Sequence, residues 1–196
     1  MVELPISRFT VPRLKDLPKD VRARIKLVQQ KTGFVPNVFL VLARRPDEFR
    51  AFFAYYDALI TRESGLSKAE KEMIVVATSA VNACTYCVVA HGALLRIFSG
   101  NPLLGDQVAI NHRSADLSPR ERAMLDAAMK LAREPQRFGE ADVLALLEHG
   151  FTREDVWDIG AITAFFALSN RMAHLCAMRP NDEFYAIGRR ARTRRG

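Results

Sequence analysis

The chain has 196 residues, 49% of them hydrophobic and 26% charged, enough apolar content for one domain with a buried core and too much for disorder throughout. Its three cysteines are too few for the disulfide framework of a small secreted domain. The formal charge of +7 points to a polyanion partner until its location is considered: Arg189, Arg190, Arg192, Arg194 and Arg195 lie in the last eight residues, and without them the body carries only +2. Residues 189–196 are therefore read as a basic, disordered, solvated tail, and nucleic acid is not an expected partner.

Taken in chain order, residues 1–17 read as an extended arm. Charges and prolines stand where the apolar core of a signal peptide would lie, and no apolar run is long enough to cross a bilayer, so a cytoplasmic protein without membrane attachment is expected. Residues 18–32 place Val21, Ile25 and Val28 at helical spacing and stop at Gly33. The stretch GFVPNVFLVLARRP predicts a turn and a short buried helix. Residues 46–61 form the next helix, with Phe49, Phe52, Phe53 and Tyr56 along it. Ser67 with Glu70 and Ser118 with Glu121 are capping boxes, and Thr152 with Asp155 is a looser one, so each opens a helix. No alternating strand pattern of useful length occurs. The expected fold is all-α: one helical domain over 18–188, with a redox half at about 34–100 and a second half at about 117–188.

The segments LSKAEKEM and LSPRERAM share Leu, Ser, Glu and Met, which suggests a degenerate internal helical repeat. In that alignment Glu70 has a counterpart in Glu121, but Glu72 faces Ala123, and Cys84, Cys87 and His91 face Pro135, Phe138 and Asp142. Glu72 is not needed to build such a helix. If the repeat holds, only the first copy carries chemistry.

That chemistry lies in NACTYCVVAHGALLR. On one helix Cys84, Cys87 and His91 share a face, with His91 one turn beyond Cys87. Asn82 suits the N-cap, which puts both cysteines in the first turns, where free N–H groups and the helix dipole favour a thiolate. If 67–81 and 84–98 are antiparallel helices joined by a tight reversal at Asn82 and Ala83, Glu72 lies ten residues before Asn82 and His91 nine after it, at the same height. Glu72 then orients and charges His91, and His91 deprotonates Cys87. In one straight helix Glu72 would be about 18 Å from Cys84, so the relay requires the turn.

Two other readings of the motif stand beside the redox one. Two thiolates and an imidazole can hold zinc, with His174 or Cys176 as fourth ligand, although no second closely spaced pair exists to complete a structural site. The pair could also be a redox sensor or partner-binding switch that oxidises once. Haem attachment needs a histidine where Val88 stands. Cys176 reads as a core residue, His112 and His149 as surface or helix-end residues, and Trp157, Phe165 and Phe166 as core or interface.

The spacing Glu72, eleven residues, Cys84, two residues, Cys87, three residues, His91 resembles the alkylhydroperoxidase D group of the carboxymuconolactone decarboxylase-like superfamily, above all its peroxidase-related branch. The resemblance extends over PNVFLVLARRPDEF and NRMAHLCAMRPNDEFYAIGR and so covers most of the chain. It implies an all-α fold in homo-oligomers, reduction of hydroperoxides by thiols, a dithiol or thioredoxin-like reductant, and no metal or other cofactor. By position it makes Cys87 the peroxidatic cysteine, Cys84 the resolving one, and Glu72 with His91 the proton relay. The pattern usually has a histidine before the second cysteine. Here that place is Tyr86, which is retained as an auxiliary site residue.

Overall fold

A computed structural model describes residues 5–189. Within them the chain forms ten α-helices and no strand: α1 Lys19–Thr32, α2 Asn37–Leu42, α3 Pro46–Tyr56, α4 Lys68–Val81, α5 Thr85–Ser99, α6 Leu104–Asn111, α7 Pro119–Arg133, α8 Glu140–Glu148, α9 Arg153–Cys176 and α10 Glu183–Ala186. A π-helical turn, Asp57–Thr61, continues α3 over the span that the spacing of its aromatics assigned to one helix.

Every residue of α4 from Glu70 to Ser79 is buried. A helix buried on all sides must lie at the centre of a bundle, and α5, α6, α7 and α9 pack around this one. Its start is set by the Ser67–Glu70 capping box, in which Ser67 Oγ accepts the Glu70 N–H at 3.1 Å and the Glu70 carboxylate accepts the Ser67 N–H at 2.8 Å. The same device opens α7 at Ser118 and α9 at Thr152. Ile74, Val75 and Val76 of α4 meet Leu95, Met124, Leu125, Ile162 and Phe166 in the main core.

The aromatic segment of α3 is largely consumed internally. Phe53 stacks on Phe39 with centroids 4.2 Å apart, and Phe52 meets Phe165 at 4.7 Å. Trp157, by contrast, is 73% exposed and takes no part in the core.

The end of α4 is a sharp reversal that builds the site. Ala83 adopts a left-handed conformation at φ +49°, its N–H bonds to the Ala80 carbonyl, and the Cys84 N–H bonds to the Ser79 carbonyl, both at 3.0 Å. This paired closure stops the helix and sends α5 back antiparallel along it. It also corrects the capping expectation. Asn82 is the C-cap of α4, with its amide on the Thr78 carbonyl and on Asn170 Oδ1, and the N-cap of α5 is Cys84.

Both ends of the described chain cover this corner. From Pro5 the arm has no regular structure apart from a 3-10 turn at Leu14–Asp16, and it pairs with the end of α9: Ser7 Oγ and the Arg8 N–H both donate to the Cys176 carbonyl, and the Arg179 N–H to that of Ile6. Arg96, buried in α5, donates to the carbonyls of Phe184 and Ile187 and so clamps α10. Arg189 pairs with Asp106 and is held by the body, whereas the rest of the expected basic tail, 190–196, lies outside the described residues.

Candidate active site

The α4–α5 hairpin brings Glu72 and His91 together as the residue count requires: Glu72 Oε2 lies 2.7 Å from His91 Nδ1. The carboxylate is 1% exposed and the imidazole 12%. With Nδ1–H donating to the carboxylate, Nε2 is the nitrogen left for other proton traffic. The ring stands edge-on to Phe166, centroids 4.8 Å apart, which fixes its orientation. Glu72 Oε1 is buried without a hydrogen-bond partner among the described residues.

Cys84 and Cys87 are each 2% exposed, are free thiols, and share an apolar cluster with Ala90, Ala173, Cys176 and Phe184. Their acidities diverge. The Cys87 thiol is the main influence that pulls the Cys84 pKa down, to about 7; burial opposes it, and the Cys87 N–H, His174 and His91 support it. Cys87 moves the other way. Its proton is held by the Cys84 thiolate and burial adds to the effect, so its pKa is raised in spite of Ser169 and Asn170. The expectation of easily ionised thiols in the first turns therefore holds at Cys84 and is reversed at Cys87, because the two share one proton.

Other residues complete the surroundings. Ser169 Oγ lies 3.9 Å from Cys87 Sγ. Asn170, fully buried, donates to Ser79 Oγ at 2.9 Å and accepts from Asn82. His174 Nε2–H donates to the Asn82 carbonyl at 2.7 Å. The Tyr86 hydroxyl accepts the Val38 N–H at 3.1 Å, tying α5 to α2, and burial raises its pKa, so it is an anchor and not a proton carrier near neutrality. No hydrogen bond joins His91 to Cys87 among the described residues; the polar side chain in contact with Cys87 Sγ is Ser169.

Glu72, Cys84, Cys87 and His91 lie on this hairpin as the spacing expected, whereas the places of Ser169, Ser79 and Asn170 around them were not foreseen. Their signal was polar side chains at positions of α9 and α4 that the helical period assigns to the buried face. Arg171, beside Asn170, points outward onto the Ala167 carbonyl. His112 is a helix-end residue as expected, the C-cap of α6, but it is buried and not on the surface: Arg122 gathers the carbonyls of His112, Arg113 and Ala115, and His112 Nε2 lies 2.7 Å from Asp126. His149 is exposed at a helix end, as expected. For the zinc reading, no group of three or more His, Cys, Asp or Glu side chains converges as a metal requires among the described residues, and His174 and His91 are each turned to other partners.

Comparison with known proteins places this geometry in a family. Residues 46–130 match the carboxymuconolactone decarboxylase family, a span that holds Glu72, Cys84, Cys87 and His91. The chain is similar to an alkylhydroperoxidase AhpD core from Ralstonia eutropha JMP134, an uncharacterized peroxidase-related protein, at 63% identity and a TM-score of 0.96, over 97% of this chain and all of that one. It is also similar to a peroxidase-related protein from Silicibacter sp. TM1040, at 41% identity and a TM-score of 0.91, over 96% and 99% of the two chains. The apo debrominase Bmp8 shares the fold at 19% identity and a TM-score of 0.73, over 96% and 98%. No curated protein matches. The chain belongs to the AhpD-like, peroxidase-related branch of the carboxymuconolactone decarboxylase family.

Proposed function

We propose that the protein is a thiol-dependent peroxidase that reduces hydroperoxides through Cys84 and Cys87, with Glu72 and His91 as its acid–base pair. The observation that carries this reading is the corner itself: the Glu72–His91 pair at 2.7 Å stands one helical turn beyond Cys87, and Cys84 and Cys87 are two buried free thiols at the start of the same helix. The peroxidase-related relatives support it at the level of the family.

In this reading the Cys84 thiolate takes the proton of Cys87, and the Cys87 thiolate attacks the distal oxygen of the hydroperoxide. The O–O bond breaks, its electron pair leaves on the alkoxide, and His91 Nε2 supplies the proton that makes the alcohol. Glu72 Oε2 holds the imidazole, and Oε1 is the acceptor open to the hydroperoxide O–H. Cys84 then attacks the Cys87 sulfenic acid; its own proton and the leaving hydroxide form water, and a Cys84–Cys87 disulfide remains. A dithiol or thioredoxin-like donor returns the pair to its reduced state.

The outer face between α3 and α9, with Tyr55, Leu168 and Leu175 each about half exposed, is the surface on which we expect a second copy to pack, and the working unit is a homo-oligomer. No helix among the described residues is long and apolar enough to cross a membrane.

The reading is tested by giving the reduced protein one equivalent of cumene hydroperoxide, blocking free thiols and mapping peptides. The expected product is a disulfide between Cys84 and Cys87 with Cys176 still a free thiol. A disulfide to Cys176, or an unchanged pair, contradicts it.

A further inference from the structure

The cysteine pair is flanked by two imidazoles of different character. His91 is buried, bonded to a carboxylate and packed on Phe166. His174 is exposed, in the last turn of α9, and has no carboxylate partner among the described residues. Its bond to the Asn82 carbonyl satisfies an acceptor at the C-cap of α4, one of those that a helix end leaves without an internal partner. His174 is thereby pinned where the C-terminal ends of α4 and α9 meet the N-terminal end of α5, whose N-cap is Cys84. Helix C-termini favour cations and N-termini favour thiolates, so this corner suits a cationic side chain beside a Cys84 thiolate.

We propose that His174 is the positioning residue of the reductive half of the cycle, holding Cys84 as the sulfur that exchanges with a small dithiol, while Glu72 and His91 serve the peroxide half. The proposal rests on the thiol-peroxidase reading. The titratable groups around Cys84 are Cys87, Tyr86 and His91 of α5 and His174 of α9, with Arg8 and Arg44 facing the neighbouring Cys176. Cys87 is the main cause of the depressed Cys84 pKa, and of the two imidazoles His174 contributes more than His91.

In the exchange, one thiolate of the dithiol bonds to Cys84 Sγ, the Cys84–Cys87 bond breaks, and its electron pair leaves on Cys87, which takes up a proton. The second thiolate of the dithiol attacks its own first sulfur, closes a cyclic disulfide and releases Cys84 as a thiolate beside His174. The dithiol loses two electrons and the pair gains them; of the two dithiol protons, one stays on Cys87 and the other passes to solvent. A cation next to Cys84 attracts the incoming thiolate and stabilises the departing one, so both steps depend on it.

The test uses the full chain as wild type, His174→Gln, which can still donate to the Asn82 carbonyl, and His174→Lys, which keeps a charge. Each is oxidised to the disulfide, and its reduction by excess dithiothreitol is followed across pH by acid quenching and alkylation. His174→Gln is expected to slow reduction about tenfold at pH 7, about 1.4 kcal/mol of lost charge interaction with the exchanging sulfur. His174→Lys should return the rate to within about threefold of wild type, and oxidation by cumene hydroperoxide, in which Cys84 serves only as the base toward Cys87, should change by a smaller factor than reduction in either variant. Equal reduction rates in wild type and His174→Gln overturn the proposal, as does a slowed rate that Lys does not restore. If the wild-type disulfide never forms with peroxide, the failure belongs to the peroxidase reading and not to His174.

Discussion

Cys87→Ser is expected to lose hydroperoxide reduction by a factor on the order of 10³ or more, the scale of removing a covalent nucleophile, whereas Cys84→Ser consumes one equivalent and stops. The resting charge makes this a demanding prediction. Cys84, with its pKa pulled to about 7, is the more readily ionised thiol, and a reading by acidity alone would choose it as the nucleophile. Cys87, however, is the cysteine one turn from His91, the acid available to the departing alkoxide, and Ser169 and Asn170 both favour its thiolate once its proton has moved. Cys84 is then the base first and the resolving thiol second. Removing it leaves a sulfenic acid on Cys87 with no partner, which dimedone labelling and mass spectrometry detect, formed more slowly than in wild type because the base is gone. A dimedone adduct on Cys84 in Cys87→Ser, with Cys84→Ser inert, inverts the roles.

The second large effect is expected at Glu72. Glu72→Gln should slow the oxidation of the pair by roughly 100-fold, within the range by which positioned acid–base groups act. The amide keeps the shape and one hydrogen bond to Nδ1 but removes the negative charge beside the imidazole, so the pH–rate profile of the oxidation should move. That movement separates a proton-transfer role from a packing role. A variant with the wild-type profile, or one whose only defect is a lower Tm, would show that Glu72 merely fills the core.

How much of this site was legible in the sequence depends on the range of the interactions. The Glu72–His91 pair was legible because both residues lie on one hairpin, where counting from the corner fixes their height. The helix starts were legible because a capping box is written within four residues. The N-cap was misplaced by two residues because Ala83, not a glycine, takes the left-handed position, so nothing in Asn82-Ala83 announced the sharp closure that moved Asn82 to the end of α4. The proton shared by Cys84 and Cys87 was hidden because it depends on burial and on how two sulfurs face each other, which spacing does not encode. How Ser169, Asn170 and His174 join this corner was out of reach for a third reason. They lie more than 80 positions away on α9 and meet the corner only through helix packing. The buried His112 belongs to the same class, since its partner Asp126 is set by the Arg122 clamp on the intervening turn.

The central claim is catalytic turnover by the cysteine pair, and the most direct measurement counts hydroperoxide consumed per chain with dithiothreitol in excess. Many equivalents should be consumed at a rate proportional to protein concentration, and Cys87→Ser should remove that rate. Consumption that ends at one equivalent per chain, with the disulfide persisting in the presence of the donor, would contradict the account and make the pair a switch that oxidises once.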